Sequence, residues 1–267
     1  MAEIKLVAVD EDGTFMRDHV TYDVERFERI FACMQERGIR FVVATGNQCY
    51  QVQQFFPNHL DEIGIVSANG AYVLDGREPV FAAEAEEHAR TNMIEACHAH
   101  PEVPFSMLGV NGSYCERNVS QEFFDDMHIY QTRLDWVDDF SDVDDQIFMF
   151  SSNVDESVVR QQIAYFQDIV GDTMDVVSSG AGYFDVVCPG VSKATGLKCL
   201  CDRWGILPEE CIAFGDSDND LAMLGFVGVG YAMQTAPENV RAAADRIAPP
   251  NTEDGVLQVL EELLDLG

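Results

Sequence analysis

Residues 4–9 read Ile-Lys-Leu-Val-Ala-Val, an apolar run rich in β-branched side chains, and this predicts a strand buried on both faces. Val24, Phe27, Phe31 and Met34 follow at helical spacing, with Gly38 placed to end the helix. Phe41 to Ala44 predicts a second buried strand, Gln48 to Phe56 a helix with Pro57 just beyond it, and Ile63 to Val66 a third strand. Residues 71–74 and 79–82 flank Asp75-Gly76, a tight-turn pair, which predicts a hairpin. The alternation resumes near residue 190. A helix is predicted at 192–204, closed by Gly205, then a strand at 211–214, a helix at 219–224 and a strand at 226–229. A helix at 237–244, a short strand at 246–248 and a closing helix at 255–264 complete the pattern. Strand–helix alternation of this kind implies a parallel sheet covered on both faces, a doubly wound, Rossmann-like α/β core.

The segment from 84 to 188 has a different rhythm. It predicts a helix at 84–99, strands near 105–116, a helix near 120–128, a strand at 147–151, a helix at 155–169 and strands near 174–187. That is a self-sufficient α/β pattern of about 100 residues, long enough to be a domain of its own. The expected organisation is therefore a core from residues 1–83 and 189–267, with an inserted α/β cap domain at 84–188. Residues 135–145 carry many aspartates and are expected to form an acidic surface turn. They are not a calcium loop of the EF-hand type, because the Gly at the sixth position and the Glu at the twelfth are missing.

Composition narrows the partners. Acidic residues outnumber basic ones 47 to 16, a formal net charge of −31. Such a surface repels nucleic-acid backbones and anionic lipid, and it reads as a solubility or salt-adaptation device. No run of about 18 apolar residues exists, so no membrane span is expected. The first residues lack a basic segment followed by an apolar one, so no secretory signal is expected. Eight scattered cysteines then read as reduced thiols in a cytoplasmic protein. Cys199 and Cys201 lie two apart on a predicted helix and diverge around its axis, so they are not expected to share a metal, and His98 with His100 fails the same test. Gly225, Gly228 and Gly230 lack the spacing of a dinucleotide loop and are expected to mark close backbone packing.

The chemistry lies at the strand ends. Asp10-Glu11-Asp12-Gly13-Thr14 follows the first strand, Thr45-Gly46-Asn47 the second, and Gly215-Asp216-Ser217-Asp218-Asn219-Asp220 the strand at 211–214. Ligands of open parallel sheets bind outside the carboxyl ends of the strands. If these strands are neighbours, three polar clusters meet in one crevice. Asp10 and Asp12 project to one side of an extended chain and Glu11 to the other. Gly13 permits a sharp turn. Several carboxylates in a crevice of low dielectric repel one another unless a cation neutralises them. All-oxygen ligands without His or Cys suit a hard ion, most simply Mg²⁺. Lys193 is one of only three lysines and opens a predicted helix, where the dipole disfavours a cation, so its placement suits binding of an anion such as phosphate.

These motifs resemble those of the haloacid-dehalogenase-like hydrolase superfamily. DEDGT is similar to its first motif, ATG to its second, GVSK to its third and GDSDND to its fourth. The insertion lies where the Cof-type phosphatase branch carries its α/β cap, and SANGAYV, YFDVVCPGVSKATGL and AMQTAPENV are also similar to Cof-type sequences. Asn47-Gln48 after Thr-Gly resembles a subgroup of bacterial sugar-phosphate phosphatases. The resemblance implies Asp10 as nucleophile and Asp12 as general acid/base. Thr45, with the Gly46 and Glu11 backbone amides, would hold the phosphoryl oxygens, joined by Lys193 and Asn219. Mg²⁺ would be held by Asp10, the Asp12 carbonyl and Asp216, with Asp220 orienting the site. The middle residue of the first motif is usually apolar, and Glu11 departs from that.

The function implied is hydrolysis of a small phosphate ester, first a sugar phosphate, through an aspartyl-phosphate intermediate. Pyridoxal phosphate or flavin mononucleotide as substrate, a phosphomutase, and a non-catalytic binding protein of the same fold are the alternatives. No nucleic-acid or membrane partner is expected, and the chain carries no readable sign of its oligomeric state.

Overall fold

The computed structural model describes residues 3–18, 21–180 and 182–266. The strand predicted from the first apolar run is β1 (Leu6–Val9), and all four of its side chains are buried. It is followed by α1 (Val24–Glu36), β2 (Arg40–Ala44), α2 (Cys49–Phe55) and β3 (Gly64–Ser67). The hairpin is β4 (Tyr72–Asp75) and β5 (Glu78–Ala82), turning at Gly76-Arg77 with Gly76 at φ +62°. The insertion contributes α3 (Glu87–Ala99), β6 (Ser106–Gly109), β7 (Ser113–Glu116), α4 (Gln121–Tyr130) and β8 (Leu134–Val137). It continues through β9 (Ile147–Asn153), α5 (Val159–Val170), β10 (Asp175–Gly180) and β11 (Tyr183–Val187). Ala181, within the predicted strands at 174–187, lies outside the described residues. The chain then returns through α6 (Lys193–Trp204), β12 (Cys211–Gly215), α7 (Leu221–Phe226), β13 (Val229–Met233), α8 (Glu238–Ala243), β14 (Arg246–Ala248) and α9 (Gly255–Leu263).

Two sheets organise these elements. The larger runs β14-β13-β12-β1-β2-β3-β4-β5, parallel from β14 to β3 and antiparallel through the hairpin. From β1 the chain winds outward to β2 and β3 on one side and later to β12, β13 and β14 on the other. The β1/β12 border is therefore the switch point, where the loops diverge and leave a crevice. The second sheet, order β10-β11-β9-β6-β7-β8, is the cap. It is antiparallel except for the β7–β8 pair.

Three sequence expectations are corrected. The strand expected at 226–229 is displaced. Phe226 ends α7 and the strand is β13: the Gly228 amide is shared between the carbonyls of Pro208 and of Cys211 at the start of β12, and regular pairing begins only with Val229 opposite Ile212. Residues 135–145 are not wholly a turn. Their first part belongs to β8, parallel to β7, with Trp136 stacked on Phe124 at 4.2 Å. The aspartates hid a short edge strand, since charge is the usual dressing of a sheet edge. Of the three glycines, Gly228 and Gly230 do pack against backbone, of Glu209 and Leu224 respectively, whereas Gly225 faces open space.

One apolar cluster seats the loop after β1. Phe15, Tyr22, Phe27, Phe41 and Phe56 meet ring to ring at 5.2–6.0 Å, and Phe27, Phe41 and Phe56 are essentially inaccessible. Phe15 belongs to the loop that carries Asp10 and Asp12, so the position of that loop depends on this cluster. Among the described residues no helix is long and apolar enough to cross a membrane. Phe27→Ala is expected to cost about 3–5 kcal/mol, as buried Phe truncations do, and to lower the melting temperature by roughly 6–20 °C. A thermal melt checks this, and a fall below about 2 °C would remove the cluster as the loop's foundation.

Candidate active site

The Asp10 amide donates to the Phe214 carbonyl at 3.0 Å, one residue beyond β1, and this holds Asp10 at the β1/β12 border. Residues 11–15 then make one wide helical turn, interrupted at Asp12 and at Gly13, whose φ is +74°. A Cβ on Gly13 would lie 2.5 Å from Asp216 Oδ2, so this glycine supplies both the turn and the room for that carboxylate. The Thr14 hydroxyl donates to Asp216 Oδ1 at 3.1 Å.

Lys193 is 1% exposed, and its Nζ lies 2.5 Å from Asp10 Oδ1 and 2.7 Å from Asp220 Oδ1. Its helix is capped reciprocally by Ser192 and Thr195. That helix start also rests on Gly70, where a Cβ would come 2.1 Å from the Ser192 carbonyl. Asp220 is buried, and its Oδ2 accepts from the Asp216 and Ser217 amides at 2.9 and 3.1 Å. It thus shapes the loop that presents Asp216. Carboxylate oxygens of Asp10, Asp216 and Asp220 lie within 4.8 Å of one another.

Thr45 ends up buried past β2, with its Oγ1 accepting from the Asn47 amide at 3.0 Å. An open cavity of about 260 Å³ is bordered by Asp10, Asp12, Thr45, Gly46, Asp216 and Asn219. The structure therefore brings the motif residues together in two layers: those that border the cavity, and Lys193 and Asp220, buried behind Asp10 and bonded to it or to each other, with Glu11 buried on the opposite side of the loop. Glu11 is wholly inaccessible, so the face opposite Asp10 and Asp12 is dry.

The electrostatics follow from burial of like charge. Burial, then the Asp220 carboxylate, pushes Asp10 well above the usual carboxylate range, against the pull of Lys193. Burial and Asp220 raise Asp216 to about 6. Burial also raises Asp12, opposed by the hydrogen bond from Asn47. Burial and the Asp12 charge lift Glu11 to about 8. Burial alone would lower Lys193, but Asp10 and Asp220 together hold it above its ordinary value, firmly charged.

Several site residues carried no assigned role in the sequence reading. Asn69, at φ +55° just past β3, accepts from Asn219 Nδ2 at 2.9 Å and donates to Asp185 Oδ2 of β11 at 2.7 Å. Ser179 of β10 donates to the same Asp185 carboxylate. The signal for Asn69 was a fourth polar cluster, Ser67-Ala68-Asn69-Gly70, at the end of β3. A cap-side cavity of about 140 Å³ opens onto Asp12, Gly46 and Asn47, walled by Met127, Tyr130 and Tyr183 with Gln131, Ser151 and Ser179. The cap is also fastened to α2. Gln48 bonds Ser113 and Arg133, Gln51 bonds the Ile129 carbonyl, and the Arg133 guanidinium lies 3.5 Å from the Tyr50 ring centroid. A separate cluster of His98, Glu116 and Asp139 lies in the cap, with both Glu116 oxygens engaged by His98, Phe140 and Asn118.

Residues 7–260 match the family model described as haloacid dehalogenase-like hydrolase. The chain is 39% identical to the 5-amino-6-(5-phospho-D-ribitylamino)uracil phosphatase YbjI of Escherichia coli (strain K12), over 98% of this chain and 96% of that protein. It is 26% identical to the phosphatase of the same name, YitU, from Bacillus subtilis (strain 168), over 98% of both. The crystal structure of SMU.1108c from Streptococcus mutans UA159 superposes with a TM-score of 0.93 at 31% identity, covering 98% of this chain and 100% of that one.

The raised carboxyl groups fix the sign of a pH effect. In the absence of divalent cations, the folded state keeps protons on Asp216 and Glu11, at about 6 and about 8, that the unfolded chain has released. Stability then falls as pH rises through that window. With a chelator present, the melting temperature is expected to be higher at pH 5.5 than at pH 8. A scanning melt that rose steadily over this range would contradict the reading of these groups as strained by burial.

Proposed function

The chain belongs to the haloacid dehalogenase-like hydrolase family and is a phosphoric monoester hydrolase, and on that premise we propose that it is a Mg²⁺-dependent phosphatase of a sugar or sugar-alcohol phosphate. The observation that carries this reading is the buried charge cluster of Asp10, Lys193, Asp220 and Asp216 opening onto a cavity that Asp12 also borders. The donor set fits a divalent hard cation. Three carboxylates face one ammonium, leaving about two negative charges in a cluster that holds no His or Cys among the described residues. Asp10 and Asp216 would hold Mg²⁺ with the Asp12 carbonyl, and Asp220 would keep the Asp216 loop in place. When bound, the ion lowers the repulsion between an anionic phosphoryl group and these carboxylates and polarises the phosphoryl oxygens.

Asp10 Oδ attacks phosphorus, the ester P–O bond breaks, and the Asp12 carboxyl proton passes to the departing alkoxide. Asp12, now a carboxylate, takes a proton from water as that water attacks the acyl phosphate, and the bond from Asp10 to phosphorus breaks to release inorganic phosphate. Lys193, Thr45, Asn219 and the amides of Glu11 and Gly46 hold the phosphoryl oxygens while charge shifts among them. The cap of residues 84–188 selects the leaving group. Its aromatic and methionine wall suits a flat ring, and Ser151, Ser179 and Gln131 suit polyol hydroxyls. That combination, with the names of the relatives, makes 5-amino-6-(5-phospho-D-ribitylamino)uracil the first compound to test, ahead of simple hexose phosphates, pyridoxal phosphate and flavin mononucleotide.

Two measurements test this. Phosphate release from a panel of these esters should require Mg²⁺, stop with a chelator and favour the ribityl ester. Full turnover in excess chelator would remove the metal, and isomerised phosphate ester without free phosphate would mean a mutase. In stopped-flow with an aryl phosphate, Asp12→Asn should release a burst of aryl alcohol near one equivalent and stall. Asp10→Asn should give no burst, and a burst from that variant would reverse the two assignments.

A further inference from the structure

Glu11 and Asn47 are not required by the mechanism above beyond a backbone amide, yet their side chains meet directly behind Asp12. Asn47 Nδ2 donates one hydrogen to Asp12 Oδ2 at 2.6 Å and the other to Glu11 Oε2 at 3.1 Å. The amide carrying this nitrogen is fixed at its own backbone. The Asn47 backbone N–H donates to Thr45 Oγ1 and the Asn47 backbone carbonyl accepts from the Ala68 amide, both at 3.0 Å. The next residue, Gln48, is held by the cap through Ser113 and Arg133. Glu11 is fully buried, on the side of the loop away from the cavity. Its carboxyl has no access to water and no place in the wall that faces substrate.

From this geometry we infer that Asn47 is a positioning residue for Asp12 and that Glu11 anchors Asn47. An Asn side chain pivots about two torsions, and a single hydrogen bond to Asp12 would leave the amide free to turn away. The second bond, to a buried acceptor that cannot be replaced by water, fixes the amide plane. Asn47 then occupies Asp12 Oδ2. The other oxygen, Oδ1, to which no described side chain is bonded, is left to carry the proton toward the leaving alkoxide. The unusual Glu in the middle of the first motif thus has a use that a backbone amide does not exhaust. This inference rests on the reading of Asp12 as general acid/base.

The test compares an alkyl phosphate, which needs a proton on its leaving group, with an aryl phosphate, which needs it little. Asn47→Ala is expected to lower kcat on the alkyl ester about 10–100-fold with little change in KM, the scale of a misplaced catalytic group. The first turnover of the aryl ester should fall less than about 3-fold. Glu11→Leu should show the same preference for harming the alkyl ester, more weakly. The double variant should be no worse than Asn47→Ala alone, because Glu11 acts through Asn47. Asn47→Ser, too short to span both carboxyls, serves if the alanine variant fails to fold and should show the same split. Equal losses on both esters, or additive losses in the double variant, overturn the inference. Asp12→Asn separates the two levels. If it is selective for the alkyl ester and Asn47→Ala is not, the positioning role alone falls. If Asp12→Asn harms both esters equally in the first turnover, the acid/base reading falls and takes the inference with it.

Discussion

Everything in the site is arranged around one costly act, the burial of several carboxylates within a few ångströms of each other. Asp10 and Asp220 are held by a single buried lysine, and Asp216 stands beside them. A buried ion pair of this kind is a poor source of stability, because desolvation consumes most of the Coulombic gain. It persists where the rest of the fold over-determines it. The parallel pairing of β1 with β12 fixes Asp10 against the Asp216 loop, the aromatic cluster under Phe15 clamps the turn that follows, and Asn69-Gly70 supports the start of α6 that delivers Lys193. The stabilising interactions are apolar and backbone in kind. The charges are what they hold in place.

That division explains what could be read in the sequence. The core strands were legible because each is a short, unbroken apolar run, and the motif residues were legible because they stand immediately after those runs. Asp10, Thr45 and Asp216 converge because β12, β1 and β2 are neighbours, the condition the sequence left open, and Lys193 joins them from the start of α6. The details that failed have a common cause, which is that local pattern does not record what another segment does. Gly228 is fixed by Pro208 and Cys211, so β13 begins later than its apolar residues suggest. β8 exists because β7 offers it an edge, although aspartates surround it. Lys193 suggested an anion site by its awkward place at a helix start. In the fold its first partners are carboxylates, and the two ion pairs keep it charged at that helix start.

The cap residues were the least legible part, for a different reason. Asp185, Ser179 and Tyr183 acquire their roles only by being carried over the core crevice; the segment from Tyr183 onward carried a resemblance but no role for Tyr183 or Asp185, and nothing marked Ser179. Asn69 is intermediate. It sits after a strand, as the motif residues do, but it joins the cap to Asn219 by amide hydrogen bonds and not by charge. A chain of amides and one carboxylate is a directional link between core and cap that adds no further net charge to the crevice except that of Asp185, itself pushed up by burial. The core-cap link and the charge cluster can therefore coexist within one crevice.

The overall charge raises the remaining question, how a chain of formal charge −31 accepts an anionic ester. The answer lies in distance and dielectric. Surface charges are screened over about 8–10 Å at physiological ionic strength, so most of the acidic surface acts weakly on a bound phosphate. Inside the crevice the screening is lost, and the groups that count are the nearest ones: Lys193, held charged by its partners, the amides at the strand ends and, under the proposed function, a cation that the surplus carboxylates would draw. The same low dielectric that makes the buried carboxylates expensive makes those few positive groups strong. Under the proposed function, a site neutral enough to hold a phosphoryl group would need the acidic cluster, since Asp10 and Asp216, on the loop that Asp220 holds, would supply the carboxylates for the cation that the anion would meet.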